Sequence, residues 1–147
     1  DHGIGMVHQH RKLIPAHTVL ENIILGHPHA GKILNVKRTS AEIQALCTEF
    51  GFSIDLKAKV WHLSEGEKQI VEILKSLYRG AELLIMDEPT AGLTPLETDK
   101  LLASIEAMSR DGLATVTVLT HTLPIVLRLS AKITVLRHGT VVSWLDT

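Results

Sequence analysis

Two periodicities alternate along the chain. Short runs of apolar residues, Gly3–His8 (GIGMVH), Glu82–Met86 (ELLIM) and Thr115–Thr120 (TVTVLT), read as strands, and the stretches between them carry a helical spacing. Thr18–Leu25 predicts a compact helix ended by Gly26. Ser40–Phe50 predicts a second, with Ile43, Leu46, Cys47 and Phe50 on one face. The segment 27–38, rich in Gly, Pro, His and Lys, reads as an exposed loop. Ser64-Glu65-Gly66-Glu67 fits a Ser-x-x-Glu capping box, so Ser64 opens a helix to about Tyr78 that buries Ile70, Ile73, Leu74 and Leu77. Thr94-Pro95-Leu96-Glu97 is a second such box, with Pro at the first helical position, opening a helix to about Ser109. A short helix after His121 leads to two strands, Lys132–Arg137 and Thr140–Trp144, joined at His138-Gly139 as a hairpin. Strands alternating with helices predict an α/β fold around a parallel sheet, with ELLIM as a buried strand apolar on both faces.

Composition narrows the class. At 147 residues the chain has the size of one domain, and 45% hydrophobic against 21% charged residues supports a packed core. A formal net charge of −1 argues against a surface built to grip nucleic acid. The single cysteine, Cys47, excludes an internal disulfide framework. No run reaches the roughly 18–20 apolar residues of a membrane span, and no secretory leader is visible. The lack of a starting Met is expected of an internal piece of a longer protein.

The chemistry concentrates where the strands end. GIGMVH is followed by Gln9, ELLIM by Asp87-Glu88, and TVTVLT by His121. If the three strands are parallel in one sheet, their C-terminal ends share the rim where α/β proteins bind ligands. An amide, two carboxylates and an imidazole would then converge there. Pro89 disfavours the right-handed helical region for Glu88 and predicts an extended backbone beneath that carboxylate. Ser64-Glu65-Gly66, at a predicted helix N-terminus, offers free N–H groups to an anion, with Gly66 allowing close approach of a phosphate. The same serine can equally serve only as a cap.

Leu63-Ser64-Glu65-Gly66-Glu67-Lys68-Gln69 resembles the signature motif of ATP-binding cassette (ABC) ATPases, with Glu65 where the third-position Gly stands. Leu83–Thr90 (LLIMDEPT) is similar to their Walker B strand and catalytic glutamate. Gln9 and His121 fall where the Q-loop glutamine and the switch histidine fall. The order Gln, signature, Walker B, His covers nearly the whole chain. His8-Gln9-His10, Thr18–Gly26 and Ile73–Ala81 further resemble the N-terminal cassette of bacterial sugar and nucleoside importers.

The resemblance implies a P-loop NTPase-like core, residues 1–17 and 80–147, and a helical signature subdomain over about 18–79. It implies ATP and Mg²⁺ as ligands. Asp87 would hold the metal, partly through water, and Gln9 would sense metal and nucleotide. Glu88 would be the general base, and His121 would contact the γ-phosphate. Ser64 and Gly66 would bind the nucleotide held by a second, facing cassette. It further implies transmembrane permease subunits as partners, a substrate-binding protein indirectly, no nucleic acid, and a peripheral position on the cytoplasmic side of the cell membrane.

No G-x-x-x-x-G-K-[ST] loop occurs in these residues. The resemblance places that loop, and an adenine-stacking aromatic, upstream of Asp1, so the segment alone is expected to bind ATP poorly and hydrolyse it hardly at all. Thr94 stands where many cassettes carry an aspartate, and Ile125 and Ala131 replace acidic residues common after the histidine. Glu65 brings a carboxylate close to the expected phosphate site. Three other readings compete. One is an ABC-type ATPase outside transport, and another is a catalytically silent cassette remnant. The third is a metal-binding protein using His8-x-His10 and His27-x-His29.

Overall fold

A computed structural model describes residues 3–8, 12–27, 35–110, 112 and 115–146. Three strands, β1 (Ile4–Val7), β2 (Leu83–Asp87) and β3 (Thr115–Leu119), form a parallel sheet in the order β1-β2-β3. The register pairs Val7 with Met86 and Asp87 with Leu119, so the C-terminal ends of the strands share one rim, as expected.

The sheet is two-faced because side chains alternate along each strand. Val7, Leu84 and Met86 point into one core with Ile73 and Leu74 of helix α3 (Glu65–Tyr78) and with Leu101, Ile105 and Met108 of helix α4 (Pro95–Arg110). Gly5 lies on this face against α3, where an added Cβ would come within 2.9 Å of the Cβ atoms of Ser76 and Ala81. On the opposite face Ile4 and Met6 are exposed and Leu83 and Ile85 only half-buried. ELLIM is therefore buried on one face, not both, because among the described residues no helix covers the second.

Helix α1 (Val19–Ile24) opens on a third capping box, Thr18-Val19-Leu20-Glu21, of the same Thr-x-x-Glu spacing. The Thr18 hydroxyl accepts from the Glu21 N–H at 3.1 Å, and the Glu21 carboxylate accepts from the Thr18 N–H at 2.6 Å. Its buried Asn22 is satisfied by the Ile14 N–H and by the carbonyls of Ile14 and Thr18. Helix α2 runs Val36–Glu49, four residues earlier than its apolar spacing indicated, so the predicted loop ends before residue 36. The reason is local: the Asn35 side chain accepts from the Arg38 N–H and caps a first turn that carries no buried apolar residue until Ile43. The remainder of that loop, residues 28–34, lies outside the described residues.

Both predicted capping boxes form, at Ser64 for α3 and at Thr94 for α4. The buried side of α3 is wider than the predicted stripe: Ile73, Leu74 and Leu77 are buried with Val71 and the polar Gln69 and Glu72, while Ile70 is half-buried. The Glu72 carboxylate accepts from the Lys12 N–H at 2.7 Å, which ties α3 to the segment after β1. Helix α5 (Leu123–Leu129) is held on α4 by Arg128, which donates to Glu106 at 2.6 Å and Asp99 at 2.8 Å. The chain closes with a separate antiparallel hairpin, β4 (Lys132–Arg137) and β5 (Thr140–Asp146). Its turn residues His138 (φ 50°) and Gly139 (φ 76°) both adopt the left-handed conformation that matches strand twist.

Candidate functional site

The rim above β2 and β3 carries the chemistry. Asp87 is the last residue of β2, and Glu88 follows with its N–H donating to the Leu119 carbonyl at 2.9 Å. Glu88 is not extended: its φ is +46°, in the left-handed region. Pro89 disfavours the right-handed helical alternative, and two features select the left-handed one. The chain turns at once, the Ala91 N–H bonding to the Glu88 carbonyl, and three donors draw the carboxylate toward the end of β3. Such a backbone costs about 1–2 kcal/mol in a residue with a Cβ. It is held by the surroundings, as strain at functional sites commonly is.

Glu88 and His121 form a direct pair. His121 Nδ1 lies 2.6 Å from Glu88 Oε1, the His121 N–H donates to the same oxygen at 3.1 Å, and the Thr120 hydroxyl donates to Oε2 at 3.2 Å. Burial pulls the Glu88 carboxyl upward, but the bonds from His121 and Thr120 outweigh it and hold the group below its ordinary value. An ionised Oε1 fixes the Nδ1–H tautomer and leaves Nε2 of a ring that is 87% exposed. The dyad thus pairs a shielded carboxylate with an imidazole facing solvent.

Asp87 is half-buried, and no hydrogen bond or ion pair among the described residues engages its carboxylate. A free oxygen donor beside the dyad has the character that a hard divalent cation requires. Gln9 lies outside the described residues, as do His10 and His29. Among the described residues no three His, Cys, Asp or Glu gather as a metal cluster.

Ser64 and Gly66 form a second locus at the N-terminus of α3. Among the described residues the Ser64 side chain and the N–H groups of Ser64 and Gly66 bond to Glu67 and Glu97, not to Glu88 or His121. Ser64 and Glu67 exchange the two bonds of the capping box at 3.2 and 2.8 Å. The Gly66 N–H donates to Glu97 Oε1 at 3.2 Å, and a Cβ on Gly66 would sit 2.8 Å from that same oxygen. Glu97 Oε2 accepts from the N–H and hydroxyl of Thr94 at 2.9 and 2.8 Å. The Ser64 hydroxyl, followed by both Thr94 donors, brings the Glu97 carboxyl down to about 2. Glu65, the residue expected to crowd an anion, turns instead to Lys68 Nζ at 2.7 Å.

Sequence reasoning had no role for Thr120 as a hydrogen-bond donor to Glu88, nor for Glu97 at the start of α3. The spacing Thr94-x-x-Glu97 does signal that this carboxylate bends back over its own helix start. It carries no information that the start of α3 lies beside it.

The sequence profile described as ABC transporter matches residues 1–91. The chain is similar to the glucose import ATP-binding protein TsgD13 of Haloferax volcanii, 40% identical over an alignment covering 100% of this chain and 32% of the relative. It is similar to the nucleoside import ATP-binding protein NupA of Lactococcus lactis subsp. cremoris, 44% identical over 93% of this chain and 27% of that protein. The chain thus spans about a third or less of the length of these curated relatives. Among solved structures, CbiO1 of Clostridium perfringens, part of the ABC transporter complex CbiONQ, superposes over 99% of this chain and 57% of its own. The TM-score is 0.82 at 24% identity, a likeness of fold. A nucleotide-free ATP-binding cassette of an ABC transporter superposes with a TM-score of 0.81 at 23% identity, covering 98% of this chain and 61% of that one.

Proposed function

The chain belongs to the ABC transporter family, and from that membership we propose that it is part of a cassette that hydrolyses ATP to drive import of a small solute, a sugar or a nucleoside, through a membrane permease. The observation that carries the reading is the Glu88–His121 pair at 2.6 Å, set at the sheet rim next to the free carboxylate of Asp87. The similarity to proteins of glucose and nucleoside import supports the solute class.

Each residue then has a task set by its chemistry. Glu88, ionised at neutral pH, accepts a proton from the attacking water at Oε2, while the His121 and Thr120 donors keep the carboxylate from rotating away. His121 is oriented through Nδ1 and offers its exposed edge to the terminal phosphate, where charge develops in phosphoryl transfer. Asp87 and Gln9 are the residues that would hold Mg²⁺, partly through water. When bound, that ion would offset phosphate charge. Ser64 and Gly66 serve the nucleotide of a second, facing cassette, whether on the same polypeptide or another. The phosphate-gripping loop is not among these 147 residues, and nucleotide affinity depends on it.

Residues 18–79, whose helices α1 and α2 both pack on α3, form the helical subdomain that docks on the permease, and residues 1–17 and 80–147 belong to the nucleotide-binding core. Among the described residues no helix is long and apolar enough to cross a membrane. The cassette works peripherally at the cytoplasmic side, with any substrate-binding protein reached only through the permease. The test is phosphate release from Mg²⁺ and ATP by the full-length protein that contains this segment. Sustained turnover is expected, and its absence with nucleotide bound would leave a silent cassette.

A further inference from the structure

The place above Gly66 is already taken by an anion of this chain. Glu97 Oε1 accepts the Gly66 N–H at 3.2 Å, and its Cγ and Cδ lie where a Cβ on residue 66 would approach to 3.0 Å. The open ground that a glycine leaves over its backbone is filled by the Glu97 side chain. The other carboxylate oxygen is held by the N–H and hydroxyl of Thr94, so one carboxylate bridges the first turns of α3 and α4. Glu97 is half-buried. It is attached to its own helix through a capping box that survives without the Gly66 bond.

We propose that Glu97 is an autoinhibitory latch: its carboxylate occupies the N-terminus of α3 and must leave before a terminal phosphate can bind Ser64 and Gly66. This rests on the reading above that this helix end faces the nucleotide of a second cassette. Two anions cannot share one set of N–H donors. The Gly66 N–H and the Ser64 hydroxyl can serve the carboxylate or the phosphate, and the loser is also repelled by the winner's charge. Released, Glu97 keeps its bonds to Thr94, so the displacement is a swing of one side chain and not a local unfolding. The latch gives the cassette pair a threshold: a nucleotide has to bring enough negative charge to the interface to expel it. A diphosphate, lacking the terminal phosphate, leaves Glu97 seated.

The discriminating experiment is a calorimetric titration of the full-length protein with Mg²⁺ plus either AMP-PNP or ADP, comparing wild type with Glu97→Gln. Glutamine retains the capping-box geometry at Thr94 and removes the charge. The expected result is a dissociation constant for AMP-PNP lowered about three- to tenfold, the scale separating a charged from a neutral hydrogen bond. ADP binding is expected to stay within error of wild type. Glu97→Ala is the second variant, and the same selectivity is expected in it should the glutamine protein not fold. AMP-PNP affinity unchanged or weakened, or ADP and AMP-PNP shifted by the same factor, would overturn the latch. Wild-type protein that binds neither nucleotide would refute the cassette reading itself, a result distinct from wild-type binding that Glu97 fails to modulate.

Discussion

Glu88 and His121 are predicted to act as one unit, and a double-mutant cycle in the full-length protein reads this directly. In Glu88→Gln the amide oxygen can still accept from His121 Nδ1 and from the His121 N–H, which in the native protein reach Oε1 at 2.6 and 3.1 Å. The amide NH₂ can donate to the Thr120 hydroxyl that stands 3.2 Å from Oε2. The constellation therefore survives, and only the proton-accepting charge is lost. A positioned general base contributes about 10²–10⁴ in rate, so steady-state phosphate release should fall by that factor with the melting temperature nearly unchanged. His121→Ala removes both the phosphate contact and the strongest bond orienting Glu88, at a cost of about 10²–10³. Because each residue works through the other, the double variant should fall no more than a few-fold below the weaker single one. Multiplying single effects would show that the two groups act independently. A Glu88→Gln enzyme within about threefold of wild type would refute the assignment of the base.

Three other outcomes follow from packing and charge. Gly5→Ala forces a Cβ within 2.9 Å of two backbone-anchored Cβ atoms and 3.0 Å of Leu84 Cδ2, and should destabilise by about 1–3 kcal/mol in a urea titration; an unchanged or higher midpoint would contradict the close approach of β1 to α3. Met86→Ala, at a fully buried position between the sheet and its covering helices, should cost about 2–5 kcal/mol in the same assay. The Glu97 carboxyl is held below its ordinary 4.5, so it contributes stability that is complete above that value and lost as pH falls toward about 2. Thermal melts of wild type should steepen in that acid window, and Glu97→Gln should flatten the profile there.

Much of this architecture is carried by local chemistry. The strand periods, the boxes at Ser64 and Thr94 and the His138-Gly139 turn each act within a few residues, so each can be read along the chain without knowing its neighbours. The ordering of Asp87, Glu88 and His121 after consecutive strands is likewise a one-dimensional pattern, and a parallel sheet converts it into a shared rim. Distance in sequence conceals the rest. Glu88 turns left-handed because donors 32 and 33 residues away draw its carboxylate, and no local rule before a proline predicts that choice. Gly66 looks from its surroundings like room for a phosphate, and only the packing of α4 beside α3 reveals the carboxylate 31 residues on that fills it. Hydrogen-bonding preference and side-chain volume are properties of single residues, legible in order along a chain. Which of several competing donors an anion meets is a property of how the elements pack, and it comes into being only when they do.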